Sequence, residues 1–370
     1  MSSSLARTGG PRPWRESVLR WGYPILKRGL FALDAETAHH ETVRLVSLLH
    51  RVPPLGRLAS SLVGSRGPAV EFAGLSFPGP IGLAAGMDKF GTSAPAWASL
   101  GFSHVELGTV TAIAQPGNEK PRLWRLPTSR AVINRMGFNN PGAAALAMTL
   151  DRYGIQRGNG RAGLVVGVSI GKSKVTPLAD AVEDYLTSLR AVSPYADYIA
   201  INVSSPNTPG LRTLQDKGFL SELTGALVAE TKVLDPGNPV PVLVKLAPDL
   251  SRDAVGEAVQ VCEAAGVRGL IATNTTIERH SIAAIDHHLA SETGGLSGAP
   301  LTRRSRAFVA DLVASTSLPV IGVGGIMTPG DAMAMLDAGA RLVQVCTGMI
   351  YSGPALVSGT NRLHRARESR

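Results

Sequence analysis

The chain has only two cysteines in 370 residues, Cys262 and Cys346, which is too few for a disulfide framework, and neither has a partner at metal-ligand spacing. A reducing compartment fits such a chain. His39 and His40, and the trio His280, His287 and His288, lack suitable neighbours, so no metal site is expected. No uninterrupted apolar run reaches the length of a bilayer span, which leaves only peripheral membrane contact open. The start, Met1–Pro13, lacks the apolar core and cleavage site of a signal peptide and is expected to be disordered. Acidic residues are also scarce early on. Residues 1–70 hold ten Lys and Arg against four Asp and Glu, within a net charge of +9 for the whole chain. That imbalance points to an acidic partner, either nucleic acid or an anionic membrane. The segment carries no recognisable nucleic-acid motif, which disfavours the first.

What is present is apolar mass: 44 % hydrophobic against 18 % charged, enough to fill a large core. From Trp14 to Leu62 apolar residues recur at three- and four-residue steps, a helical pattern with Asp34 as a helix opener. "RVPPLG" at 51–56 and "GSRGP" at 64–68 interrupt it. The expected organisation is a disordered stretch 1–13, a helical domain 14–68 and a catalytic domain 69–370. In that last part, short apolar runs alternate with helical stretches. Strands are predicted at Ile81–Ala85, Val105–Leu107, Leu164–Val168, Tyr198–Ile201, Val242–Leu246, Leu270–Thr273, Val320–Val323 and Leu342–Val345. Helices are predicted at Ala179–Val192, Ser251–Ala265, Arg304–Ser315 and Pro329–Ala338. Eight such repeats in about 300 residues predict an α/β chain closed into a (β/α)8 TIM barrel. The competing doubly wound sheet would carry a Gly-x-Gly-x-x-Gly turn after its first strand, and "GLAAGMDKFG" does not have that spacing. Residues 113–160 are too long for one crossover and are expected to hold an inserted hairpin around "RLWRLPTSRAVINRMGFN".

In such barrels the chemistry gathers at the C-terminal ends of the strands. There the sequence places Asp88 and Lys89, Thr109, Ser169, the run "INVSSPNTPGLR" from Ile201, Lys245, Asn274 and Thr275, "GVGGI" at 322–326 and "CTG" at 346–348. The last two follow neighbouring final strands, a common place for phosphate. Four asparagines, Asn134, Asn202, Asn207 and Asn274, suit a small ring with alternating C=O and N–H groups, since an amide both donates and accepts. Each alone could be a turn residue. Lys89 and Lys245 could reach solvent, offset developing negative charge or, in a barrel aldolase, form a Schiff base.

The motifs "AAGMDKFG", "ELGTVT", "QPGNEKPRLWRL", "NRMGFNN", "INVSSPNTPGLR", "VKLAPDL", "ATNTT", "GGLSG" and "GVGGI" resemble, in order over about residues 15–357, the quinone-linked, membrane-associated (class 2) dihydroorotate dehydrogenases. The resemblance implies an FMN flavoprotein that oxidises dihydroorotate to orotate in pyrimidine (UMP) biosynthesis and passes electrons to a membrane quinone, ubiquinone or menaquinone. It implies Ser205 as catalytic base, with Thr208 as a candidate exit for the proton. Substrate would be bound by Lys89, the run Asn134, Arg135, Met136, Gly137 and Phe138, and by Asn202, Asn207, Asn274 and Thr275. FMN would be held by Ala85, Gly86, Met87, Asp88, Lys89, Thr109, Ser169, Asn202, Lys245, Thr273, Gly298, Gly325, Cys346 and Thr347. His39 and Arg125 would lie near the quinone head in a tunnel whose mouth the N-terminal helices form. Those helices would rest on the cytoplasmic face of the cell membrane as a peripheral contact. The sequence departs from the family pattern twice: Ser169 stands where an asparagine is usual, and Cys346 where a tyrosine is usual.

Overall fold

Asp34 organises the first part of the chain, in a computed structural model that describes residues 13–204, 207 and 215–370. Helix α1 (Pro13–Ala32) ends just before it and α2 (Ala35–Arg51) begins just after it. Its carboxylate accepts the N–H groups of Glu36 and Thr37 at 3.0 Å each, satisfying donors that an open first turn leaves without partners. The prolines of "RVPPLG" do not end the helical region. They occupy the first positions of α3 (Pro53–Val63), where a missing N–H costs nothing.

A two-stranded hairpin follows, β1 (Val70–Phe72) and β2 (Leu75–Phe77), which sequence periodicity did not anticipate because each strand is only three residues long. Its phenylalanines cover the N-terminal end of the barrel, with Phe77 5.1 Å edge-on from His104 and 6.4 Å from Tyr198. The strands then run β3 (Ile81–Leu83), β4 (His104–Val110), β5 (Leu123–Leu126), β6 (Ala131–Asn134) and β7 (Val165–Ile170). After them come β8 (Tyr198–Asn202), β9 (Val242–Leu246), β10 (Gly269–Ala272), β11 (Gly295–Gly298), β12 (Val320–Val323) and β13 (Leu342–Val345). Eight of these, β3, β4, β7, β8, β9, β10, β12 and β13, pair in parallel and close into a barrel. All eight predicted strands are present, three with their expected bounds. Their residues are buried on both faces, the condition under which a strand reads as a continuous apolar run.

The outer layer contains α4 (Ala143–Arg152), α5 (Ala181–Val192), α6 (Lys217–Leu234), α7 (Arg252–Ala265), α8 (Thr302–Ser315) and α9 (Pro329–Asp337). The short α10 (Thr347–Ser352) and α11 (Pro354–Glu368) complete the chain. The four predicted helices are α5, α7, α8 and α9, displaced at their ends by at most two residues. The expected hairpin is β5–β6, and it acquires a third strand, β11, pairing antiparallel with β6. Because "GGLSG" is poor in strand formers, its pairing had no local signal. Its glycines allow the close approach: a Cβ on Gly298 would lie 2.4 Å from the Arg130 carbonyl oxygen, and one on Gly294 2.3 Å from that of Asn134.

Candidate active site

At the C-terminal end of the barrel lies a cavity of about 280 Å³ that continues between the strand ends, the β5–β6 hairpin and helices α1 and α2. Parallel registry explains why its polar residues meet. Asn202, last in β8, pairs with Lys245 of β9. Asn274 lies two residues beyond the end of β10, and its backbone N–H reaches the Leu246 carbonyl at 3.0 Å.

The four asparagines converge. Asn274 Nδ2 donates to Asn202 Oδ1 (3.3 Å) and to Ser204 Oγ (2.9 Å), and Asn207 Nδ2 donates to Asn134 Oδ1 (3.2 Å). Asn202 Nδ2 donates to Thr109 Oγ1 at 2.9 Å. All four line the cavity, with Met136, Gly137, Phe138 and Thr275. A ring of donors and acceptors contributed by separate elements is a recognition surface, and turn preference alone gives no reason for the convergence.

The glycine turns after β12 and β13 also meet here. Gly325 and Thr347 line one end of the cavity beside Gly298, and Ser297 and Thr347 share a hydroxyl hydrogen bond of 2.8 Å. Gly324 (φ 114°) and Gly86 (φ 104°) hold backbone shapes that side chains resist, and a Cβ on Gly86 would project into open space. Ala85, Met87, Thr273 and Cys346 complete this wall. Burial pushes the Cys346 thiol up, although Lys245 and Lys89 pull the other way, so it stays protonated near neutrality.

The two lysines are buried. Lys89 donates to Asn139 Oδ1, and burial, then the Arg122 charge, push it down to about 8. Lys245 Nζ sits 3.3 Å from Glu106 Oε1. Sequence periodicity assigns Glu106 only to the apolar strand run Val105–Leu107. A carboxylate inside "VEL" was itself the available signal, because buried acids require partners.

Three expected site residues stand off the cavity wall. The Asp88 carboxylate turns into the core, accepting the Trp97 indole N–H (3.1 Å) and the Ser93 N–H (3.0 Å), which anchors the turn after β3. Arg135 points outward, stacked 4.5 Å over Trp124 and paired with Glu292 at 3.1 Å. Ser169 lies fully buried behind Thr109, with Oγ to Oγ1 at 2.9 Å, so it supports the wall without forming it. Ser205 and Thr208 lie outside the described residues.

The far end of the cavity belongs to the helices. His39 and Arg125 line it with Tyr23, Phe31 and Thr42. Burial and the nearby charge of Lys89 push the His39 imidazole down to about 3, leaving it neutral. The Arg125 guanidinium lies 4.7 Å over Phe31 and donates to the carbonyls of Leu30 (3.0 Å) and Leu33 at the C-terminal end of α1. The Tyr23 hydroxyl donates to the Ile350 (2.7 Å) and Met349 (3.1 Å) carbonyls, and the Glu36 carboxylate of α2 grips Arg122 at 2.7 and 3.2 Å. Burial would raise Glu36, but Arg122 and Lys120 outweigh it and hold the carboxyl at about 2. Sequence periodicity could not register these helices on the barrel, since their polar anchors come from distant segments. Among the described residues no helix is long and apolar enough to cross a membrane, and no cluster of three or more His, Cys, Asp or Glu could hold a metal.

Comparison with known proteins gives one consistent answer. The family model described as dihydroorotate dehydrogenase matches residues 68–363. The chain is 52 % identical over 346 residues to the dihydroorotate dehydrogenase (quinone) of Chloroflexus aurantiacus, covering 92 % of this chain and 93 % of that protein. It is 52 % identical over 338 residues to the protein of the same name from Salinispora arenicola, covering 90 % and 96 %. Among solved structures, DHODH from Eimeria tenella in complex with ferulenol superposes with a TM-score of 0.75 at 35 % identity, covering 88 % of this chain and 89 % of that one.

Proposed function

Because the chain belongs to the dihydroorotate dehydrogenase family, we propose that it oxidises dihydroorotate to orotate with bound FMN and delivers the electrons to a membrane quinone. The observation that carries this reading is a single cavity that joins an amide-lined pocket, a glycine-walled cradle and a helix-lined passage.

The residues present fit FMN. Gly86 leaves space that a side chain would fill, and Gly298, Gly324, Gly325 and Thr347 offer backbone and hydroxyl groups at the end expected for phosphate. Gln344 lines the floor with a buried Oε1 that has no hydrogen-bond partner among the described residues, an acceptor suited to a ring N–H. Ala85, Met87, Thr109, Lys245, Thr273 and Cys346 would contribute the remaining contacts. When bound, FMN supplies the hydride acceptor and the relay of electrons to quinone.

The chain's own residues account for the rest. Asn134, Asn202, Asn207 and Asn274 hold the planar amide and imide groups of the substrate ring, and Lys89 meets its carboxylate. Ser205 removes the proton beside the ring carbonyl. Lys245 places positive charge where negative charge develops. The neutral His39 ring can donate or accept a hydrogen bond at the quinone head, and Arg125 stands beside it.

The same reading makes residues 14–62 a peripheral membrane contact. Helix α1 exposes Ile25 and Leu26, the bend after it Leu33, α2 Leu45 and Leu48, and α3 Leu55 and Leu58, beside Arg28, Arg44, Arg51 and Arg57. Such a surface on an anionic leaflet would open the passage directly to lipid. It would also place the protein on the cytoplasmic face of the cell membrane.

The test is an absorbance spectrum of the purified protein. A yellow chromophore released as FMN and bleached by dihydroorotate is expected, and a colourless protein would overturn the proposal in favour of a barrel that uses Lys245 as an amine. A second expectation concerns pH. Since Lys89 is depressed to about 8, raising the pH through that value removes its charge and weakens carboxylate binding. KM for dihydroorotate should climb above pH 8, approaching about tenfold per unit for a single proton. A KM that stays flat to pH 9.5 would exclude Lys89 as the carboxylate partner.

A further inference from the structure

Beneath the cavity floor, Lys245 and Gln344 belong to a polar network whose other members, Glu106 and Tyr198, have no part in the reading above. Glu106, in the middle of β4, is fully buried with its side chain inside the barrel. Three donors from three other strands converge on it. Lys245 Nζ of β9 reaches Oε1 at 3.3 Å, while Gln344 Nε2 of β13 (3.0 Å) and the Tyr198 hydroxyl of β8 (3.3 Å) reach Oε2. Gln344 Nε2 also donates to the Tyr198 hydroxyl at 3.2 Å, closing the ring.

An aliphatic barrel interior would be simpler to fold, since a buried ion pair often adds nothing to stability over apolar packing of the same volume. The pair therefore asks for another reason. A lysine buried without a counter-ion sheds its proton readily. Glu106 sits on the closed side of Lys245, and the ammonium has no other ion-pair partner among the described residues. Lys245 also lines the cavity, whereas Glu106 does not. Besides Glu106 from β4, the Cys346 thiol at the end of β13 interacts with the Lys245 charge, and the Tyr198 hydroxyl from β8 faces the same carboxylate as Lys245. Burial pushes both up and keeps them neutral, and Lys89 lies across the thiol.

We propose that Glu106 is a positioning residue for Lys245. It holds the ammonium charged and directed from below, so that a fixed cation faces the cavity where negative charge builds during substrate oxidation. The inference rests on the flavin reading above. Tyr198 and Gln344 orient the carboxylate from its other oxygen and prevent it from turning away.

The test compares Glu106→Gln, Lys245→Met and the double variant. Lys245→Met leaves Glu106 buried without its cation, so the double variant is expected to melt at a higher temperature than Lys245→Met. Strictly additive losses would overturn the pairing. This arm does not depend on flavin. In protein that carries flavin, Glu106→Gln should give the flavin midpoint potential a dependence on pH between 6 and 9 beyond that of the wild type. Its reduction by dihydroorotate should be slower at pH 9 than at pH 6 by about tenfold or more relative to wild type. A potential that tracks the wild type across that range would overturn the role of Glu106 while leaving the proposed activity intact. Absence of flavin from the wild-type protein would instead sink the proposed activity, with the melting comparison still reporting on the pair.

Discussion

A Ser205→Ala variant is expected to retain FMN and bind orotate with near wild-type affinity, yet to be reduced by dihydroorotate at a rate lower by ~10²–10⁴. Orotate has already lost the proton in question, so its binding does not need the hydroxyl. The amides that would grip its ring, Asn134, Asn202, Asn207 and Asn274, are untouched by the substitution, and Asn202 and Asn274 remain tied to each other and to Ser204. Alanine is also small enough to fit wherever serine fits. Serine is a weak base, so the effect depends on an exit for the proton. Rapid-mixing measurement of flavin bleaching at saturating dihydroorotate separates the proton step from binding. A rate within threefold of wild type would mean that another group takes the proton. A variant that has lost orotate affinity instead would make Ser205 a binding residue.

The second large effect lies at the other end of the cavity. Ile25 is 70 % exposed, Leu26 49 %, Leu55 42 % and Leu58 54 %. Fully burying an aliphatic side chain of this size is worth ~1.5–3 kcal/mol. With about half of each side chain already covered by the protein, the four together would contribute roughly 3–6 kcal/mol to membrane binding, or ~10²–10⁴ in partitioning. Replacing all four with aspartate removes that term and adds repulsion from an anionic leaflet. Binding to vesicles containing anionic lipid should fall by at least ~10²-fold, and turnover with a long-chain quinone embedded in those vesicles should fall with it. Reduction of the flavin by dihydroorotate should be unchanged, because the polar anchors of the helices, Tyr23, Glu36, Arg122 and Arg125, are retained. Sedimentation with vesicles and the two half-reactions read these outcomes separately. Undiminished vesicle binding would show that this face does not meet the membrane. A short-chain, water-soluble quinone should still be reduced by the variant, since its headgroup reaches the passage without help from lipid.

The sequence alone determined the barrel. Its strands are short apolar runs buried on both faces, and "VLVKL", "VIGV" and "LVQV" carry that pattern within a few residues, as do the helices between them. It also determined which segments reach the barrel mouth, since the C-terminal ends of parallel strands gather there, as those carrying Asn202, Lys245 and the glycines after β12 do, although not which of their side chains face the cavity. The tertiary structure decided everything that depends on partners remote in the chain. The β11 strand exists because a glycine segment is admitted against β6, which no local propensity records. Asp88 turns into the core because Trp97 and Ser93 offer it donors, and Ser169 stands behind Thr109 because β4 and β7 are in that register. Helices α1 and α2 line the cavity because Tyr23, Arg125 and the Glu36–Arg122 pair fix them to segments from about 85 to more than 320 residues away. A period reports which face of an element is apolar, and only closure of the barrel brings β4, β8, β9 and β13 together around Glu106.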